Sequence, residues 1–168
     1  MNHSDNNLQA FTAGLRVGIP IGLGYFFVAF TLGIAAREAG LSALQSALMS
    51  LSIHASAGEF AAIGIMAAGS GYLEMALTMF IVNLRYLLMS CSLSQKLDDK
   101  KPFFHRFFLA FMVTDEIFAF SVSTPGRLNP CYTYGMMAVA SPGWVIGTFI
   151  GAAAGGVMPS VLTGAMSI

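Results

Sequence analysis

Long stretches of apolar residues, separated by short polar links, constrain the fold of this chain more than any other feature. They lie at about residues 18–36, 42–68, 72–93, 107–122 and 132–157. About 20 apolar residues suffice for one helical crossing of a bilayer. Only 10% of the residues are charged, against about 25% in an ordinary soluble domain. We therefore predict an all-α integral membrane protein, a helical bundle whose 168 residues form a single transmembrane domain.

The composition and the motifs exclude several other classes of protein. Eight Lys and Arg residues balance eight Asp and Glu residues without any basic run, so the chain lacks the charge pattern of a nucleic-acid-binding protein. Cys91 and Cys131 lie in or beside apolar stretches and form no disulfide framework. The sequence contains no phosphate-binding loop, no dinucleotide-binding pattern and no cluster with metal-ligand spacing. We expect neither an enzyme nor a protein with a cofactor or a metal ion.

The basic residues orient one part of the chain. Four of the eight lie in the polar connector at residues 94–106, and the positive-inside rule predicts that this connector faces the cytoplasm. The stretch 42–68 is interrupted near its middle, so it either crosses the membrane or turns back as a re-entrant hairpin. Arg37 lies on the cytoplasmic side in the first case and Arg16 in the second, and the distribution of basic residues fits both arrangements equally well.

A weak internal repeat relates the two halves of the chain at a spacing of 85 residues. Ser56-Ala57-Gly58 aligns with Ser141-Pro142-Gly143, and the same shift places the first apolar stretch over the fourth. We predict two three-element repeats, at about residues 13–94 and 103–168, each with an interrupted helix, as in many secondary transporters. Inverted repeats are preferred to parallel ones. The second repeat would need residues up to about 178, so we expect that its C-terminal part is missing.

Ionisable side chains inside the apolar stretches are the main candidates for function, because each costs about 2.5–3.5 kcal/mol at the centre of a membrane helix. The third stretch carries Asn83 and Arg85, and the fourth carries Asp115 and Glu116. Arg85 either forms a structural ion pair with one of these acids or binds a substrate carboxylate with its planar fork. The second acid could carry a proton, or the acids could be purely structural.

The interruption of the second stretch has the sequence His54-Ala55-Ser56-Ala57-Gly58-Glu59-Phe60. Non-helical backbone at membrane depth is tolerated only where it lines a cavity or is buried in protein. The N–H groups that follow Gly58 could bind a substrate carboxylate, and Glu59 could bind an ammonium group. His54 either titrates near neutral pH or packs as an ordinary buried side chain.

The second half contains a corresponding interruption, Ser141-Pro142-Gly143. We expect either an equivalent break or a simple proline kink there. Gly147, Gly151 and Gly155 follow it at four-residue spacing, which is typical of close packing between membrane helices. These glycines are therefore predicted to serve packing and not chemistry.

Three motifs in order resemble the AzlC family of branched-chain amino acid permeases: the break ending Gly58-Glu59-Phe60, then Asn83-Leu84-Arg85-Tyr86, then Thr114-Asp115-Glu116. The resemblance covers about residues 13–156. Glu59 stands where the family pattern has Gln, and Tyr86 stands where it has His. The resemblance implies export of branched-chain amino acids together with a small membrane partner of the AzlD type, and family chains continue beyond the point where this one ends.

The sequence thus predicts a secondary transporter in the bacterial cytoplasmic membrane that exports branched-chain or other small apolar amino acids. The predicted substrate-binding residues are Arg85, Asn83, Gly58, Glu59, Asp115 and Glu116. Of these, Asp115 and Glu116 are also the predicted proton-coupling groups. Two alternatives stay open: a passive channel for a small solute, and a non-transporting membrane subunit of a two-component complex.

Overall fold

The computed structural model describes residues 3–98 and 102–157. Within these ranges the chain is helical and contains no strand, as predicted. The helices are α1 (His3–Glu38), α2 (Ala43–Ile53), α3 (Ser56–Ala67), α4 (Tyr72–Lys96), α5 (Phe103–Met112), α6 (Asp115–Ser123) and α7 (Pro130–Gly155). Among them, α1, α4 and α7 are long and apolar enough to cross a membrane. The element predicted from residue 157 onward lies outside the described residues.

The second apolar stretch is broken, as the sequence predicted. Helix α2 ends at Ile53, His54 adopts the left-handed conformation (φ 48, ψ 32), and Ala55 is extended (φ −133, ψ 92) before α3 begins. The start of α2 is closed by a capping box, in which Ser42 N donates to Gln45 Oε1 at 2.8 Å. Helix α3 begins without a side-chain cap, so its first N–H groups receive no side-chain acceptor from the N-cap residue.

The fourth apolar stretch, at residues 107–122, is also broken, an interruption that the sequence analysis does not predict. Helix α5 ends at Met112, and Thr114 caps α6 by accepting a hydrogen bond from Ile117 N at 3.4 Å. A threonine followed by acidic residues is a common start signal for a helix. The signal was present in the sequence, but the uniformly apolar flanks favoured an uninterrupted span.

Ser141-Pro142-Gly143 does not break a helix, contrary to the first of the two expectations for this segment. Helix α7 runs through it, with Pro142 in its interior. Membrane helices tolerate proline where neighbouring groups satisfy the carbonyl that loses its donor. The predicted pairing of this segment with the break near His54 is therefore wrong at the level of helices, whereas the repeat boundaries at 13–94 and 103–168 stay a prediction.

The chain forms two compact units. The first comprises Met1–Gly22 and Leu84–Ser141, and the second comprises Leu23–Asn83 and Pro142–Ile168, as far as the described residues extend in each. The second unit has a buried core made of Ala29, Leu32, Ala36, Ile63 and Trp144. The single transmembrane domain at residues 1–168 stays a prediction.

In the first unit, α1 and α7 meet backbone to backbone. A Cβ atom on Gly14 would lie 2.0 Å from the carbonyl oxygen of Tyr132, and one on Gly18 would lie 2.9 Å from that of Met136. Gly135 faces the opposite way, since its Cβ would lie 2.2 Å from the carbonyl oxygen of Phe11. No side chain fits between these backbones, so glycine is required at the contact.

The second unit repeats this contact between the later parts of the same helices. A Cβ atom on Gly33 would lie 2.2 Å from Thr148 O, one on Gly147 2.5 Å from Phe26 O, and one on Gly151 2.0 Å from Phe30 O. The predicted packing role of Gly147 and Gly151 is confirmed. Gly155 sits less tightly, because its nearest neighbour atom would be Arg37 Cβ at 3.3 Å.

The order of these contacts shows that α1 and α7 run parallel. In the first unit the contacts advance from Gly14 and Tyr132 to Gly18 and Met136, and in the second they advance together from Phe26 to Phe30 and from Gly147 to Gly151. If α1, α4 and α7 each cross the membrane, parallel directions require an even number of crossings by the pairs α2–α3 and α5–α6. Both pairs therefore cross, or both turn back.

The glycine contact yields a stability prediction. Gly33→Ala should lower the free energy of unfolding by about 1–3 kcal/mol, because the new methyl group overfills a backbone contact. Gly24→Ala is the matched control, since nothing lies within 4 Å of its Cβ position in the same helix and alanine favours a helix by about 1 kcal/mol over glycine. Thermal unfolding of the two variants in detergent measures the difference, and equal melting temperatures would contradict the contact.

The parallel arrangement yields a topology prediction. Single cysteines placed at Glu38, at the end of α1, and at the exposed Val157, just after α7, should react with a membrane-impermeant maleimide from the same side of the membrane. Cys91 and Cys131 are first replaced by serine to remove the background. Labelling from opposite sides would show that the two helices do not cross in the same direction.

Candidate functional site

The six residues predicted to bind substrate form two groups, one in each unit. Arg85, Asp115 and Glu116 belong to the first unit. Asn83, Gly58 and Glu59 belong to the second. The local geometry of each group determines what it can bind.

In the first unit, Arg85 and Asp115 form an ion pair. Arg85 Nη1 lies 2.7 Å from Asp115 Oδ2, and the two side chains are 41% and 47% exposed. Arg85 also donates from Nη2 to the Tyr86 hydroxyl at 3.3 Å, and its guanidinium carbon lies 5.0 Å from the centre of the Tyr86 ring. The acidic partner predicted for Arg85 is therefore Asp115, and the pair is accessible from the surface of the chain.

The break before α6 determines where the two acids of this group stand. Asp115 and Glu116 occupy the first turn of α6, directly after the Thr114 cap. Negative charge is favoured at this end of a helix, because the backbone N–H groups there carry partial positive charge. The two acids differ by about 100° in direction around the helix, and the ion pair with Arg85 is the one made by Asp115.

In the second unit, the Asn83 amide lies against Gly58 at the start of α3. A Cβ atom on Gly58 would be 3.1 Å from both Asn83 Oδ1 and Asn83 Nδ2, and 3.2 Å from Met79 Cε. Asn83 Oδ1 is buried and has no hydrogen-bond partner among the described residues. Two of the predicted residues, Asn83 and Gly58, are thus brought together at the break.

Glu59 belongs to a buried network that the sequence did not reveal. Its side chain is fully buried, with Oε1 accepting from Trp144 Nε1 at 2.9 Å and Oε2 lying 2.5 Å from Ser50 Oγ. Ser50 Oγ lies 2.8 Å from Thr148 Oγ1, which donates to the Trp144 carbonyl at 3.0 Å. The predicted contact of Glu59 with a substrate ammonium stays a prediction, since this conformation encloses the carboxyl group.

The partners of Glu59 left only a faint signal in the sequence. Ser50 is one of several serines in α2, and Trp144 is the single tryptophan of the chain. Trp144 and Thr148 stand four residues apart, so a continuous helix presents them on one face. The sequence left open whether the helix breaks at Pro142, and the structure shows that α7 continues past it.

His54 is a buried side chain, which fits the second of the two expectations for it. It is 8% exposed, and its Nδ1 lies 3.1 Å from the Leu51 carbonyl oxygen. Its left-handed backbone conformation is uncommon for a residue with a side chain and is what ends α2. The described residues contain no group of three His, Cys, Asp or Glu side chains that could hold a metal ion.

The network around Glu59 yields a stability prediction. Trp144→Phe retains an aromatic ring but removes the N–H donor, so a buried oxygen of Glu59 loses its partner and the protein should lose about 1–3 kcal/mol of stability. Tyr72→Phe is the control, because it also removes a polar atom from an aromatic ring but at a 93% exposed position. Thermal unfolding in detergent should separate the two, and a Trp144→Phe protein as stable as Tyr72→Phe would contradict the network.

Comparison with known proteins gives relatives that are membrane proteins. An uncharacterized membrane protein of Archaeoglobus fulgidus is 35% identical over 91% of this chain and 66% of its own length. The inner membrane protein YgaZ of Escherichia coli is 34% identical over 86% of this chain and 61% of its own length. An uncharacterized membrane protein of Helicobacter pylori is 26% identical over 88% of this chain and 65% of its own length.

The chain therefore spans about two-thirds of the length of these curated relatives. No solved structure matches it. The family of AzlC proteins matches residues 20–158, a range that contains both broken helix pairs and all six predicted site residues. The chain is a membrane protein that belongs to the AzlC family, as its motifs predicted.

Proposed function

We propose that this chain is the transport subunit of a secondary transporter that exports branched-chain or other small apolar amino acids across the bacterial cytoplasmic membrane. The observation that carries the proposal is the half-exposed ion pair between Asp115 and Arg85, the latter on a helix long enough to span the membrane. Membership of the AzlC family supports a membrane transporter or permease. The name of the Escherichia coli relative, an inner membrane protein, supports the location.

The exposure of this pair argues for a water-filled cleft. A guanidinium group facing lipid tails would cost several kcal/mol, and long side chains avoid this cost near helix ends by reaching the interface. Arg85 lies in the middle of α4 (Tyr72–Lys96), where the interface is out of reach. Its exposed surface therefore belongs to a cleft that admits water and a polar solute, or to a contact with another protein segment.

The chemistry of the pair fits an amino acid. A zwitterionic substrate carries a carboxylate, which can take the place of Asp115 as the partner of Arg85. It also carries an ammonium group, which can take the place of Arg85 as the partner of Asp115. Arginine binds a carboxylate through two parallel hydrogen bonds, and each charged bond contributes about 1.5–3 kcal/mol. The exchange leaves no charge without a partner, which is what a site at membrane depth requires.

The group in the second unit has polar groups of its own that suit an amino acid. Asn83 Oδ1 can accept a hydrogen bond from an ammonium group, because it has no partner among the described residues. The uncapped N–H groups beside Gly58 at the start of α3 suit a carboxylate. We propose Asn83, Gly58 and Glu59 as substrate-binding residues along with Arg85, Asp115 and Glu116, and Asp115 or Glu116 as the proton-coupling group.

The proposal includes a second membrane protein. The resemblance to AzlC permeases implies a small partner of the AzlD type, and a surface such as that of α4, whose residues are mostly exposed or half-buried in this chain, offers room for protein contacts. A passive channel would use the same cleft without exchange of partners. Counterflow, in which one labelled amino acid is driven by another, separates the carrier from the channel.

The test measures efflux of labelled leucine from loaded vesicles that contain the full-length protein and its partner. Arg85→Ala should reduce efflux by about tenfold or more, because the loss of a charged hydrogen bond of at least 1.4 kcal/mol corresponds to a factor of about ten. Arg16→Ala, which removes an exposed arginine from α1, is the control for loss of positive charge.

The double variant Arg85→Gln with Asp115→Asn separates the two roles of Arg85. If Arg85 serves only to neutralise Asp115, removal of both charges restores efflux. If it binds the substrate carboxylate, the double variant stays as inactive as Arg85→Ala while the protein remains in the membrane. Restored efflux would therefore overturn the proposed role of Arg85.

A further inference from the structure

We infer that Glu59 is a proton-binding site. We also infer that the buried hydroxyl groups of Ser50 and Thr148, which connect it to the Trp144 carbonyl, reverse their hydrogen bonds when the proton leaves. The inference deepens the proposed function, on which its role in transport rests, because it adds to the proposed proton-coupling groups, Asp115 and Glu116, a residue predicted only to contact substrate. It depends on a count of hydrogen atoms within the network.

The network contains three consecutive oxygen–oxygen contacts. Glu59 Oε2 lies 2.5 Å from Ser50 Oγ, Ser50 Oγ lies 2.8 Å from Thr148 Oγ1, and Thr148 Oγ1 lies 3.0 Å from Trp144 O. Each contact at these distances requires one hydrogen atom between the two oxygens. The chain of contacts ends on a backbone carbonyl, which accepts hydrogen bonds but has no hydrogen to donate.

The two hydroxyl groups supply only two of the three hydrogen atoms. Thr148 uses its hydrogen on the Trp144 carbonyl, one turn earlier in the same helix, a common bond for threonine. Ser50 then donates to Thr148, and only the carboxyl group is left to supply the hydrogen between Glu59 and Ser50. The arrangement is complete when Glu59 is a carboxylic acid, and any arrangement with an ionised Glu59 leaves one close contact without a hydrogen atom.

The other oxygen of Glu59 is consistent with this assignment. Oε1 accepts from Trp144 Nε1 at 2.9 Å, as the carbonyl oxygen of a neutral acid does. None of the hydrogen-bond partners of Glu59 is charged, and the side chain is fully buried. An ionised carboxylate without a positive partner is strongly disfavoured in such a place.

The neighbouring elements contribute no cation in their described contacts with this network. Helix α2 contributes Ser50, α7 contributes Trp144 and Thr148, and α1 contributes Tyr25, whose ring stands edge-on to Trp144 at 5.6 Å between centres. The titratable group nearest in sequence is His54, whose Nδ1 lies 3.1 Å from the Leu51 carbonyl.

Release of the proton reverses the chain. The Oε2–H bond of Glu59 breaks and the proton passes to a water molecule. Ser50 then turns its hydrogen toward the new carboxylate, and Thr148 turns its hydrogen toward Ser50, so the Trp144 carbonyl loses the hydrogen bond from the Thr148 hydroxyl. The network thus has one arrangement with the proton and another without it, and a water molecule must reach the buried acid for the change to occur.

The experiment records infrared spectra of the full-length protein in membranes at neutral pH, where a protonated carboxylic acid absorbs apart from carboxylates. Glu59→Gln should remove one acid band, because glutamine donates to Ser50 and accepts from Trp144 without a titratable proton. Glu74→Gln, at an exposed position in the first turn of α4, is the matched control and should leave that band in place. Identical spectra for wild type and Glu59→Gln would overturn the inference.

A second pair of variants keeps the result independent of the stability of Glu59→Gln. Thr148→Val removes the hydroxyl that accepts the Ser50 hydrogen, so the hydrogen bonding of the Glu59 acid changes and its band should shift in frequency. Thr148→Ser retains the hydroxyl and should leave the band at the wild-type frequency. A band at the same frequency in Thr148→Val and Thr148→Ser would contradict the chain of hydrogen bonds.

Transport measurements test the coupling role. In vesicles, Glu59→Gln should lose the uphill leucine flux that a pH gradient drives in the wild type, whereas Glu59→Asp, which keeps a titratable carboxyl group, should retain part of it. Uphill flux as large in Glu59→Gln as in the wild type, or equal loss in both variants, would overturn the coupling role of Glu59. Absence of any leucine flux in the wild type would instead refute the proposed function, while the infrared comparison would still decide whether Glu59 holds a proton.

Discussion

The direct contact between the backbones of α1 and α7 is the constraint on which the rest of the structure depends. Between helices in lipid there is no hydrophobic driving force, and close van der Waals packing through glycine replaces it. In each unit this contact requires α1 and α7 to run parallel. If α1, α4 and α7 each cross the membrane, the broken pairs α2–α3 and α5–α6 must therefore both cross it or both turn back. In the second unit the contact also holds the face of α7 that carries Trp144 and Thr148.

The two helix breaks place acidic residues in equivalent local positions with different surroundings. Glu59 and Asp115 each stand in the first turn of the helix that follows a break, where the helix end favours negative charge. Asp115 meets a guanidinium group at an accessible surface, so its charge has a partner. Glu59 meets the Ser50 hydroxyl and the Trp144 indole N–H, which leaves no compensating charge in its described contacts and favours the neutral acid.

The helix breaks also show which helix ends can be predicted from local sequence patterns. The break at His54 was predictable because serine and glycine interrupt an apolar stretch, and the break before Asp115 carried a capping signal in Thr114. Pro142 is a stronger helix breaker by intrinsic propensity, yet α7 continues through it. Intrinsic propensity therefore does not by itself predict whether a proline ends a membrane helix.

By itself, the sequence determined the all-α membrane character, the approximate spans, the packing role of Gly147 and Gly151, and the need of Arg85 for an anionic partner. These properties follow from hydropathy, residue size and charge, which are local. Only the tertiary structure decided that Arg85 pairs with Asp115, and that Glu59 meets Trp144, which lies 85 residues away, while Ser50 meets Thr148 at a separation of 98. Those choices depend on which faces of distant helices pack together, and nothing in the periodicity of one helix specifies the partner it will meet.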